Sequence, residues 1–173
     1  LGVGVMSAAL KKGELDAEGY ARMIETTTKL NTPGPDLAEL DGVHALTDVT
    51  GFGLAGHALE MARGAGLQVH LDWPAVPLLP GVRALAAQGF VTGASGRNWA
   101  GYGRDVTLPA GLAAEDQALL TDPQTSGGLL VACEPAAVPA VLDIFTRHGF
   151  GAAAVVGRCE AAGAAGSRLV VSG

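Results

Sequence analysis

The sequence predicts an α+β domain, layered α/β/α around a mixed sheet. Three observations carry that prediction. Segments with helical spacing alternate with short segments of strand-like periodicity, the order expected of helices layered on a sheet. Hydrophobic residues make up 49% of the 173 and charged residues 16%, a composition that folds around a core. No internal repeat and no linker divides the chain, so a single domain covers residues 1–173.

The elements follow in order. Val3 to Lys12 reads as a helix closed by Gly13, with Lys11 and Lys12 suiting its C-terminal dipole. Asp16 can cap a second helix running to about Leu30. Its residues Tyr20, Met23, Ile24, Thr27 and Leu30 recur at spacings of three and four. Asn31 to Pro35 breaks that pattern. Asp36 to Leu40 supports one more helical turn, and Val43 to Thr47 is a strand leading to Asp48.

From Phe52 to about Arg63 the period is helical again, ended by Gly64 and Gly66. Leu67, Val69 and Leu71 alternate with Gln68, His70 and Asp72, a half-buried strand. A short helix spans Val82 to Gln88. Residues 89–114, rich in glycine, read as irregular and too long for an ordinary connection. Glu115 to Leu120 is a short helix, Asp122 to Gly128 a turn, and Leu129 to Cys133 a buried strand. Pro135 to His148 is an apolar helix with proline near its first turn. Ala152 to Val156 and Arg168 to Val171 read as the last strands, joined by an Ala/Gly-rich turn.

Composition excludes several function classes. A net charge of −6 argues against a broad nucleic-acid surface, which needs clustered Lys and Arg. No apolar run reaches the roughly 18–20 residues of a membrane span, and the N-terminus lacks the pattern of a signal peptide. A cytoplasmic protein with no membrane or nucleic-acid partner is expected. Cys133 and Cys159 stand in no zinc-type spacing, and Cys133 reads as a small buried hydrophobe.

The chemistry concentrates at residues 47–57, Thr-Asp-Val-Thr-Gly-Phe-Gly-Leu-Ala-Gly-His. Asp48 closes a strand, and Gly51 and Gly53 open a helix. Such a carboxylate can bind a hard cation, while amides at a helix start can face an anion. Thr50 suits two roles, a phosphate donor or the N-cap of the helix. His57 reads as a packed structural histidine that can support the turn. Thr125-Ser126-Gly127-Gly128 supplies hydroxyls and close backbone approach, fitting either a cleft wall or a tight turn packed on the Asp48 segment. Asp122 and Gln124 read alike, Asp122 more as a turn lock than a metal ligand. Asn98 lies where it can reach a substrate, while Trp99 and Tyr102 anchor the loop around it. His44, His70 and His148 stand alone and carry no functional assignment.

Thr47–His57 (TDVTGFGLAGH) and Asp122–Leu130 (DPQTSGGLL), in this order and at this spacing, closely resemble the signature segments of selenophosphate synthetase, also called selenide, water dikinase. Leu1–Gly4 and the helix after it, Arg97-Asn98 and Tyr102-Gly103 are similar to that family at the same relative positions. The resemblance covers nearly the whole chain.

It implies the C-terminal half of a two-domain enzyme, with a fold like the C-terminal domain of aminoimidazole ribonucleotide synthetase. The family's reactive Cys or selenocysteine, its partner Lys, its glycine-rich loop and further metal-binding aspartates belong to an N-terminal ATP-binding half that these residues do not include. The implied reaction converts ATP, selenide and water into selenophosphate, AMP and phosphate. The implied roles are Asp48 as a Mg²⁺ ligand, and Thr50, Gly51, Phe52, Gly53, Thr125, Ser126, Gly127, Gly128 and Asn98 around ATP. No catalytic nucleophile is expected here, so the isolated half should be inactive, and the full-length protein should be a homodimer built mainly through its other half. The rivals are another ATP-using member of the superfamily and a non-catalytic nucleotide-binding or regulatory domain.

Overall fold

A computed structural model describes residues 1–162 and 168–173. The element order is α1 (Val3–Lys12), α2 (Ala17–Thr28), α3 (Gly34–Ala38), β1 (Val43–Asp48), α4 (Gly53–Ala65), β2 (Leu67–Asp72), α5 (Val82–Ala87), α6 (Gly93–Tyr102), β3 (Val106–Thr107), α7 (Ala114–Leu120), β4 (Leu129–Cys133), α8 (Val138–Arg147), β5 (Gly157–Ala161) and β6 (Leu169–Ser172). The α+β class holds. The sheet is divided: β1 and β4 form an antiparallel pair, and β3-β6-β2-β5 form a mixed four-stranded sheet. In the larger sheet β2 runs parallel to β6 and antiparallel to β5, and β3 runs parallel to β6.

Two apolar cores follow from this division. The larger gathers Val5 and Met6 of α1, Leu54 and Leu59 of α4, Val82 of α5, Leu119 and Leu120 of α7, and Leu71 and Leu169 of the four-stranded sheet. The smaller packs Leu37 of α3 with Val141, Ile144 and Phe145 of α8, against Val43, Leu46, Leu129 and Val131 of the β1–β4 pair. β1 thus ends where the two cores meet, and Val49, buried in the larger one, carries the chain across.

Three expectations need correction. Residues 89–114 are not irregular throughout, because α6 occupies Gly93–Tyr102. Glycines at 93, 96 and 101 dilute its period, and its support comes from tertiary bonds. Thr92 caps it by accepting from Ser95 N, and the Ser95 hydroxyl lies 2.7 Å from Thr121 Oγ1. The fifth strand is Gly157–Ala161 and not Ala152–Val156. It is an edge strand with every side chain exposed, so it carries no hydrophobic pattern to find. The Ala/Gly-rich turn expected after it falls partly on residues 163–167, outside the described residues. Finally, β4 is half-buried and not fully buried, since among the described residues it pairs with β1 alone, and Cys133 at its end is half-buried too.

Candidate functional site

Thr47–His57 and Asp122–Leu130 meet in space. Thr47 pairs with Leu130 and Asp48 with Leu129 across the β1–β4 ladder. Past the ladder the contact continues through backbone bonds. Val49 N donates to Gly128 O at 2.9 Å, and Gln124 N donates to Thr50 O at 3.0 Å. Gly127 is pressed against the same strand. A Cβ there would fall 1.8 Å from the Val49 carbonyl oxygen, so no other residue fits. Asn31 Nδ2 closes the far side by donating to Gly127 O at 2.9 Å.

Asp48 is exposed at the strand end, and its carboxylate has no hydrogen bond or ion pair among the described residues. The neighbouring Thr47 hydroxyl turns to the Asp48 carbonyl at 3.1 Å, leaving the side chain open. An unpaired, solvated carboxylate fits a hard cation such as Mg²⁺. One carboxylate does not make a cage, and no group of three His, Cys, Asp or Glu gathers among the described residues.

The turn after Asp48 is held from several sides. Thr50 N donates to His57 Nε2 at 3.0 Å, and the Thr50 hydroxyl lies 3.2 Å from the same nitrogen. An N–H donor at Nε2 places the ring proton on Nδ1, which is 3.9 Å from Glu60 Oε2 and otherwise unpartnered. Thr50 is therefore not the N-cap of α4; that position is Phe52, with no side-chain cap bond. From α6, Asn98 Nδ2 donates to Gly51 O at 2.8 Å and to Thr121 O at 3.0 Å. The Tyr102 hydroxyl donates to Phe52 O, and burial pushes its pKa well above the usual tyrosine value.

These bonds sort the sequence candidates. Gly51 and Phe52 are exposed, as are Thr125, Ser126 and Gly128, so all five stay open to a ligand. Gly53 does not. It is buried at φ 70°, its amide donates to Thr50 O at 3.0 Å, and a Cβ would lie 2.6 Å from the Thr121 carbonyl carbon. Gly127 is likewise packing, and Asn98 sits on a helix with both amide hydrogens engaged on carbonyls.

Asp122 and Gln124 have a structural role that the sequence reading missed. Gln124 Oε1 accepts from Gly2 N and Val3 N at 3.2 and 3.3 Å, and Asp122 Oδ2 accepts from Gly4 N and Val5 N at 3.0 and 3.3 Å. Together they cap α1 from about 120 residues away in the chain. The signal was α1 itself, which starts without a Ser, Thr, Asp or Asn to cap it. Asp122 is fully buried and its Oδ1 has no partner. Burial raises its pKa to about 6 against the pull of the Gln124, Val5 and Gly4 hydrogen bonds. Burial also pushes the Cys133 and Cys159 thiols up, the opposite of an activated thiolate.

A fold of this kind, with an open carboxylate at the end of a strand and two glycine turns locked together beside it, defines a class. The chain belongs to the family described as AIR synthase related protein, C-terminal domain, whose model matches residues 1–169. Three of its curated relatives share one name. It is 68% identical over 157 residues to the selenide, water dikinase of Burkholderia pseudomallei (strain K96243), covering 91% of this chain and 44% of that protein. The enzyme of that name from Pseudomonas straminea is 63% identical over 161 residues, 93% of this chain and 45% of the relative. That from Rhizobium meliloti (strain 1021) is 52% identical over 170 residues, 98% and 48%. The chain therefore spans less than half the length of the relatives it matches. Among solved structures, hydrogenase maturation protein HypE superposes with a TM-score of 0.66 at 18% identity, covering 98% of this chain and 45% of that one. HypE in complex with ATP superposes at 0.60 with 20% identity, covering 82% and 36%. At those identities the likeness is one of fold.

Proposed function

We propose that this chain is the C-terminal domain of a selenophosphate synthetase and forms one wall of an ATP and Mg²⁺ cleft. In the reaction the terminal phosphoryl of ATP passes to selenide, and water releases the β-phosphate, giving selenophosphate, AMP and orthophosphate. Such transfers depend on positioning and on neutralising charge on the phosphoryl oxygens, which a carboxylate-bound Mg²⁺ supplies when present.

The observation that carries the reading is the bare Asp48 carboxylate beside the locked junction of the two signature segments. Asp48 would hold the metal together with ligands of the N-terminal half. Gly51 and Phe52 would offer backbone to phosphate oxygens, with Thr125, Ser126 and Gly128 on the neighbouring turn. Thr50, His57, Asn98 and Tyr102 keep that backbone in place. Gly53 and Gly127 act through the tightness of their packing.

The test compares two proteins for ATP-dependent formation of AMP and selenophosphate, followed by ³¹P NMR with selenide present. The full-length protein should form both with Mg²⁺, and these 173 residues alone should form neither. Robust AMP formation by the 173 residues, or a full-length protein that makes AMP without selenophosphate, overturns the reading.

A further inference from the structure

A cleft of about 370 Å³ lies between α1 and α6, floored by Pro123 and Thr125. From α1 come Gly4, Ser7 and Lys11, which the three- and four-residue spacing aligns in one stripe. From α6 and its cap come Thr92, Gly93 and Arg97. Arg97 folds back over the first turn of its own helix, with Nη1 3.4 Å from where a Gly93 Cβ would stand.

The charge of this cleft is at odds with the rest of the chain. The net charge is −6, yet no Asp or Glu lines it and two cations do. Those cations are also unpaired. Among the described residues, every lysine and arginine other than Lys11, Lys12 and Arg97 has a carboxylate or carbonyl partner. Lys11 and Arg97 line one cavity together with the hydroxyl residues Ser7, Thr92 and Thr125. Ammonium, guanidinium and three hydroxyls offer more donors than a two-oxygen carboxylate can use, and they match a tetrahedral dianion.

We propose that this cleft is a binding site for a phosphate group, held by Lys11 and Arg97 and seated on Thr125. The group is either free orthophosphate or the phosphate end of a nucleotide. The cleft shares Thr125 with the turn placed at the ATP cleft above, and because its test reads binding and not turnover the two readings fail separately.

The experiment titrates the full chain with inorganic phosphate, and separately with AMP, at low ionic strength, following backbone amides by ¹H–¹⁵N NMR. Saturable shifts are expected at Ser7, Gly93, Ala94 and Thr125. Arg97→Gln and Lys11→Gln should each weaken binding about tenfold or more, as loss of a charged hydrogen bond does. Lys12→Gln, also unpaired but outside the cleft, should change it less than about twofold. Tighter phosphate than AMP assigns the free ion, and the reverse assigns a nucleotide. Non-saturable shifts, or equal losses in Lys12→Gln and Arg97→Gln, overturn the proposal. Retained dispersion of the amide spectrum in each variant separates lost binding from lost fold.

Discussion

The amide of Thr50 is held by Nε2 of His57 at 3.0 Å, one helical turn into α4, so a buried imidazole sets the path of the chain just after Asp48. His57 is 7% exposed, with the Phe52 ring tilted beside it at 5.9 Å. Replacing His57 by Ala removes the acceptor and leaves a part-buried N–H without one. A loss of about 1–3 kcal/mol is expected from urea unfolding, and His57→Gln, which keeps an acceptor, should recover part of it. Equal stability of wild type and His57→Ala would refute this role.

Gly127→Ala should be worse than a typical surface change. The added carbon meets a backbone carbonyl, which cannot rotate away, so the segment just after β1 and the turn before β4 must separate. The expected cost is about 2–4 kcal/mol, read as a lower denaturation midpoint. Gly128→Ala, with open space around its position, serves as the control and should cost far less.

Asp122 gives the fold a pH dependence of unusual sign. Its folded pKa, about 6, lies above the ordinary 3.8 because burial disfavours the carboxylate. The folded state therefore holds a proton that the unfolded state has released. Asp122's contribution is complete below the unfolded value and is lost as pH rises through about 6. Asp122→Asn keeps an oxygen for the Gly4 and Val5 amides but cannot ionise. The stability of the variant relative to wild type should rise between pH 4 and 7 by on the order of 2 kcal/mol. A flat difference curve across that window would contradict it.

Asp48→Asn should separate chemistry from stability. The side chain is exposed and unpaired, so the melting temperature should shift little. In the full-length protein the variant should lose most AMP formation and need more Mg²⁺ for what remains. Wild-type turnover with unchanged Mg²⁺ dependence would remove Asp48 from the metal site.

Much of this was legible in the residues because local chemistry and fold agree there. Alternation at Leu67–Asp72 marked β2, and Asp16 marked the start of α2, whose Gly19 N it accepts at 2.7 Å. Asp48 at a strand end was equally plain. What stayed hidden depends on partners far away in sequence. α6 is short on apolar residues and is stabilised by bonds to 51, 52 and 121, which no periodicity reports. Gly53 took a place around ATP from the resemblance, and the turn holding Gly127 stood open between a cleft wall and packing on the Asp48 segment, because a sequence cannot distinguish clearance for a ligand from clearance for a neighbouring strand. The uncapped start of α1 signals that a cap must come from elsewhere, but which side chains supply it stayed hidden, since both belong to another segment.

That cap has a consequence for how the chain matures. α1 is synthesised long before Asp122 and Gln124, and until they arrive its first amides lack the two side chains that accept from them in the fold. Ten residues make a helix too short to persist in water. Its docking therefore waits for most of the domain to emerge, and the long loop this closes slows the final step. A nascent chain halted before residue 122 should leave residues 2–12 open to protease, and one that extends past 124 should protect them.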